Sequence, residues 1–195
     1  VWADFDGDKM QDLIVVGEWM YPVFFKRLGK KHFEKVEIIS KEKTGWWQSI
    51  VSEDIDNDGD MDLICGNVGM NNKYRASAKK PLLVYGNDFD NNETNDIVLA
   101  KTSEFGTLPV RGRECSSEQM PFISEKFPTY DAFAKATLTD ILGETGLENA
   151  IHREVREFQS GVFRNDGGNF EFIPFPNLAQ IAPVMDMLAI DLNKD

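Results

Sequence analysis

Three short aliphatic runs stand at matching places in the chain: Leu13-Ile14-Val15-Val16 before Gly17, Leu63-Ile64-Cys65 before Gly66, and Ile97-Val98-Leu99-Ala100. Each is too short for a stable helix, so each reads as a buried strand. Each follows an acidic loop of one design. The loops are Asp4-Phe5-Asp6-Gly7-Asp8-Lys9-Met10-Gln11-Asp12, Asp54-Ile55-Asp56-Asn57-Asp58-Gly59-Asp60-Met61-Asp62 and Asp88-Phe89-Asp90-Asn91-Asn92-Glu93-Thr94-Asn95-Asp96. A fourth copy opens at Asp191 and meets the chain end at Asp195. Loop then strand is therefore the repeated unit, and the long third interval holds an insertion.

Between the first two loops, 23–28 and 32–39 read as strands joined around Gly29-Lys30-Lys31, and 46–52 is an apolar stretch feeding the second loop. About four short strands in a period of roughly 50 residues is the spacing of a β-propeller blade. The third interval changes period. Ser116-Ser117-Glu118-Gln119 reads as a capping box, and Tyr130, Phe133, Thr137, Leu138, Ile141 and Leu142 recur at helical spacing, as do Leu147, Ile151, Val155 and Phe158. Two or three helices are expected over about 116–160. Strands resume at 161–164, turn at Asn165-Asp166-Gly167-Gly168 and continue at 170–173; 182–190 leads into the last loop as 46–52 leads into the second. The expected fold is mostly β, with about three propeller-like blades forming part of a ring and one helical insertion in a single repeat region, 1–195.

Composition adds the sign of the charge. The 195 residues carry 21 Lys plus Arg against 33 Asp plus Glu, a net charge of -12, which is wrong for coating phosphate backbones. The three complete loops hold twelve aspartates, so the excess negative charge resides in them. No stretch approaches the roughly 18 apolar residues of a membrane helix. The start at Val1-Trp2-Ala3-Asp4, without Met or a basic flank, leads us to expect a chain cut from a longer precursor with any export signal upstream. Two cysteines, Cys65 and Cys115, are too few for a disulfide scaffold, and their pairing stays open.

Acidic or amide side chains at positions 1, 3, 5 and 9 of a curled loop converge on one point. Without a cation, such carboxylates repel by roughly 1 kcal/mol or more per pair. All-oxygen donors with no His or Cys select a hard ion, and flexible crowded carboxylates suit Ca²⁺. The candidate ligands are Asp4, Asp6, Asp8 and Asp12 with the Met10 carbonyl; Asp54, Asp56, Asp58 and Asp62 with that of Asp60; and Asp88, Asp90, Asn92 and Asp96 with that of Thr94. About three Ca²⁺ sites follow, the third weaker for its lower charge. An EF-hand needs a Glu at position 12 and a following helix, and here position 12 is Val15, Cys65 or Leu99 inside a strand-like run.

These loops resemble the FG-GAP, or VCBS, calcium-binding repeats of integrin α-type β-propellers, and the stretch from Val1 through the insertion is similar to exported repeat proteins of the cartilage-acidic-protein and UnbV type. The resemblance implies a propeller of about seven blades, secretion or cell-surface display, calcium in hairpin loops between strands, and binding or adhesion toward an extracellular protein or glycan, with no nucleic acid and no membrane insertion. Two departures are the helical insertion and the presence of only about three blade lengths, where a propeller closes with at least four. The chain is therefore expected to form part of a larger ring or to close with other segments or subunits.

Other chemistry is sparser. Trp46-Trp47 is either a sugar platform or packing between blades, and Tyr130 and Phe133 sit at core-facing helix positions. Arg111-Gly112-Arg113 is a phosphate or carboxylate grip or a solvated loop. Cys115 with His152 makes a thiol dyad only if the fold joins them. The rival functional reading, an enzyme on polysaccharide, requires a facing acid pair such as Glu114 or Glu118 against Glu154 or Glu157.

Overall fold

The computed structural model describes residues 1–192, so the fourth acidic loop lies largely outside the described residues. The chain divides into two compact units, one formed by Val1–Tyr74 with the chain from Val155 onward and the other by Arg75–Glu154. The first unit opens with β1 (Trp2–Ala3), β2 (Asp12–Val15), β3 (Glu18–Met20), β4 (Val23–Arg27) and β5 (Phe33–Val36), then β6 (Gly45–Trp46), β7 (Ser49–Glu53) and β8 (Asp62–Gly66). One antiparallel sheet runs β1-β2-β4-β5, while β3 leaves it to pair with β6. The alternation of β2 is that of a strand with one face against a core: Asp12 and Ile14 are buried, Leu13 and Val15 half-buried.

The second unit holds β9 (Leu82–Asn87), β10 (Asp96–Ser103), β11 (Gly106–Pro109), five short helices and β12 (Ile151–Val155), with sheet order β11-β10-β9-β12. The helices are α1 (Arg113–Gln119), α2 (Phe122–Lys126), α3 (Tyr130–Lys135), α4 (Leu138–Leu142) and α5 (Glu144–Glu148). They put Met120, Ile123, Phe133, Ala136, Leu138 and Ile141 against Leu83, Val98 and Ala100 of the sheet. The cap chemistry differs from the expected one. Ser116 lies inside α1, which starts after Gly112, and the complete capping box is Thr137 with Asp140 at α4, where the hydroxyl and N–H of Thr137 hold the Asp140 carboxyl below its ordinary range.

The helical reading of 147–158 is overturned. Helix α5 ends in backbone bonds from Asn149 to Thr145 and from Ala150 to Leu147, and 151–155 is strand β12 beside β9. A spacing of four serves both geometries, since residues i and i+4 also share a strand face, and the ladder offered by β9 decides between them.

The chain then returns to the first unit as β13 (Gly161–Asp166) and β14 (Asn169–Pro174). Strand β13 pairs with β8, Phe163 opposite Leu63, so the sheet reads β14-β13-β8-β7. The second unit is thus inserted between the two middle strands of a four-stranded sheet, and its five helices lie between Arg113 and Glu148, where two or three were expected over about 116–160. The β13–β14 turn has Gly167 and Gly168 at positive φ, as the sequence expected. Residues 182–190 form no strand; their ties to the sheet are Val184 N–H to the Asn67 carbonyl at 2.9 Å and Ser49 Oγ to the Val184 carbonyl at 2.7 Å.

The core of the first unit joins its two large sheets through Ile14, Phe24, Trp47, Leu63, Cys65 and Phe163. Phe24 meets Phe170 of the other sheet at 5.2 Å between ring centroids. The described chain is mostly β, with three four-stranded antiparallel sheets of propeller-blade type.

Candidate metal centre

All three acidic loops are hairpin loops. Residue 9 of each pairs across the ladder with the residue before the loop: Asp12 with Ala3, Asp62 with Glu53, Asp96 with Asn87. Inside each loop the backbone follows one path, with positions 4 and 6 at positive φ: Gly7 and Lys9, Asn57 and Gly59, Asn91 and Glu93. These two left-handed residues curl the chain so that its N–H groups point inward.

The first aspartate takes up those donors. Asp4 accepts from Asp8 and Lys9 N–H at 3.1 and 2.7 Å, Asp54 from Asp58 and Gly59 at 3.2 and 3.0 Å, and Asp88 from Asn92 and Glu93 at 3.0 and 2.9 Å. The side chain at position 5 accepts from position 7: Met10 N–H to Asp8 at 2.9 Å, Asp60 to Asp58 at 2.8 Å, Thr94 to Asn92 at 2.8 Å. Carboxylate oxygens consequently converge in three sets, Asp4/Asp6/Asp8, Asp54/Asp56/Asp58 and Asp88/Asp90/Asp96, each within 4.8 Å.

Position 9 has a second task. Asp12, Asp62 and Asp96 are all but fully buried. One oxygen of each accepts from the position-2 N–H: Phe5 at 3.5 Å, Ile55 at 3.0 Å, Phe89 at 3.1 Å. The other ties in a neighbouring element, through Arg27 N–H of β4 at 2.7 Å, Asn165 N–H of β13 at 2.7 Å, and Gln119 Nε2 of α1 at 3.1 Å. Each oxygen keeps a second lone pair. Burial holds the Asp12 carboxyl above its ordinary range, with the Asp6 and Asp8 charges adding to it, against the lowering effect of the Arg27 and Phe5 N–H bonds.

The loops differ in how they meet their charge. In the first, the Lys26 ammonium lies on Asp6 and 3.4 Å from Asp8, an internal cation where a metal ion would otherwise neutralise the pair, and this contact raises the lysine above its ordinary range. In the second, no basic side chain among the described residues pairs with Asp54, Asp56 or Asp58. Asp60 instead directs its carboxylate to Gly167 N–H at 2.7 Å in the β13–β14 turn. In the third, Asn92 Nδ2 reaches Asp90 Oδ2 at 3.1 Å, and Asp90 Oδ1 is buried with no hydrogen-bond partner. Hard oxygen donors, converging carboxylates and one orphaned buried carboxylate oxygen fit a Ca²⁺ ion, which Asp4, Asp6 and Asp8, Asp54, Asp56 and Asp58, and Asp88, Asp90 and Asp96 would hold; Asp12 and Asp62 stand outside these sets.

Asn165 is the positioning residue that the sequence reading passed over as a turn former. It is buried, donates from Nδ2 to the Phe5 carbonyl at 2.9 Å and the Met61 carbonyl at 3.3 Å, and accepts from Gly168 N–H at 2.8 Å. It thereby pins two acidic loops and its own turn. A polar residue closing a β run was its only signal.

The remaining candidates separate. Trp47 is buried and donates Nε1 to the Lys43 carbonyl at 3.0 Å, while Trp46 packs among Trp19, Tyr74 and Phe158. Both cysteines are unpaired; burial pushes the Cys65 thiol up, and Cys115 is exposed. His152 stacks on Tyr85 at 4.5 Å. Glu157 engages both carboxylate oxygens, one with Lys43 at 3.1 Å and one with Gln159 N–H at 3.0 Å.

Three four-stranded antiparallel sheets, each with one acidic hairpin loop, define a β protein of propeller-blade type. The family model of the FG-GAP-like repeat matches residues 4–65, from the first loop through the second and into β8. Searches of the curated proteins and of the solved structures each return no match. No helix among the described residues is long and apolar enough to cross a membrane.

Proposed function

We propose that the chain is a calcium-stabilised binding module, displayed outside the cell, that presents rigid blade edges to a protein or glycan partner. The observation that carries this reading is the shared loop geometry: three hairpins, in two units, bring carboxylates to one point by the same backbone path. Calcium supplies the positive charge that these carboxylates lack. The chain's own residues do the rest: the first aspartate closes the loop on its N–H groups, and the ninth locks it to the neighbouring strand or helix. The second loop, with five aspartates and no basic partner among the described residues, is the tightest of the three; the first shares its charge with Lys26, and the third has an amide at position 5. The FG-GAP-like match supports the extracellular setting and the kinship with VCBS and integrin-type propellers.

A calcium titration of chelator-stripped protein, following bound metal per chain and melting temperature, tests the reading. About three ions bound with a rise in melting temperature is the expected result. Absence of both in the wild type, or an Asp56→Ala/Asp58→Ala variant that matches the wild type in calcium content and melting temperature, sinks it.

A further inference from the structure

In the second unit, a pocket of about 360 Å³ opens between the β10–β11 hairpin and helix α3, lined by Leu108, Pro109, Val110, Tyr130, Phe133 and the cations Lys101, Arg111 and Arg113. Its walls are apolar, and no carboxylate lines it. In a chain with 33 acidic and 21 basic residues, three cations around one cavity without an acid are unexpected from composition alone. Arg113 is fixed in place. Its Nε donates to the Phe127 carbonyl at 2.5 Å, its other arm to the Ser124 carbonyl at 3.3 Å, and its guanidinium lies 5.4 Å from the Tyr130 ring centre. The side chains of Arg111 and Lys101 have neither hydrogen-bond nor ion-pair partners among the described residues.

We propose that this pocket binds a carboxylate carried on an apolar body. The planar guanidinium of Arg111 offers a two-pronged match to a carboxylate, Lys101 adds a second charge, and the Leu108, Val110 and Phe133 surface takes the apolar part. Charge complementarity selects the anion, and the apolar wall selects an organic one over a bare inorganic ion. The pocket uses none of the acidic-loop residues, so its test and the calcium test fail independently.

The test is calorimetric titration of the whole chain, in calcium, with 3-phenylpropionate, with its neutral amide and with inorganic phosphate. Saturable binding of the carboxylate is expected, about tenfold or more tighter than the amide or phosphate, which is about 1.4 kcal/mol of discrimination. Arg111→Gln and Lys101→Gln should each weaken it about fivefold or more at unchanged melting temperature. The proposal is overturned by no saturable binding of the carboxylate, by equal affinity for the amide, by phosphate binding as tightly, or by both variants binding like the wild type.

Discussion

At the residue scale, the acidic loops depend on two left-handed positions, and the third loop fills both without glycine. Asn91 tolerates this region; Glu93, at φ 69°, carries a Cβ where the second loop has Gly59. Replacing Glu93 by Gly should therefore stabilise the calcium-free chain by about 0.5–1 kcal/mol, read from denaturant midpoints, because relief of backbone strain outweighs the added freedom of the unfolded chain. An unchanged or lowered midpoint would show that the loop is not held in this conformation. Tyr85 offers a second residue-scale test. Burial raises its phenol above the ordinary range, and the nearby Glu154 charge adds to the shift. A folded-state value above the unfolded one favours folding fully below the unfolded value near pH 10, and that contribution is lost as pH rises through the folded value. In an alkaline ultraviolet titration, one of the four tyrosines should ionise later than the rest, and Tyr85→Phe should abolish the lag.

At the element scale, the segment 182–190 is held to β8 by backbone contact rather than by a ladder. A Cβ on Gly66 would overlap the Val184 carbonyl oxygen and Ser49 Oγ, so Gly66→Ala should displace that segment. Loss of about 1–3 kcal/mol in stability and faster amide exchange at Val184 are expected; wild-type exchange at Val184 would contradict the contact. The same element shows where sequence reading stops. Acidic loops were legible because side-chain type and spacing are written locally, and hairpins such as β4–β5 and β13–β14 because turn residues announce them. The pairing of Gly161 with Cys65 was not legible, since a ladder closed across an inserted unit leaves no mark in either strand. Nor was the role of Asp12, Asp62 and Asp96 as buried ties, because their donors Arg27, Asn165 and Gln119 come from other elements. The 147–158 pattern misled because its spacing satisfies a helix and a strand face alike.

At the scale of the whole molecule, the insertion makes a strong claim about independence. The chain segments flanking the inserted unit are neighbours: Gly69 N–H donates to the Phe158 carbonyl at 2.9 Å, and Asn67 Nδ2 to the Glu157 carbonyl at 3.1 Å. Beside them a buried set of Asn67, Ser160 and Gln180 is closed by Asn67 N–H to Ser160 Oγ at 2.8 Å, Ser160 N–H to Gln180 Oε1 at 2.9 Å and Gln180 Nε2 to the Ser160 carbonyl at 2.8 Å, all from the first unit. Each unit also has its own apolar cluster. A chain lacking 75–154, with a short Gly-Ser linker from Tyr74 to Val155, keeps every one of these bonds and restores β8 to β13 as a near-hairpin. It should fold cooperatively and, on the proposed calcium sites, bind about two ions where about three are expected for the intact chain, because the third loop leaves with the inserted unit. Calorimetry together with metal analysis reads both numbers at once. Retention of all the bound calcium would place the third ion outside the 88–96 loop, and loss of the cooperative transition would mean that the inserted unit completes the fold of its host.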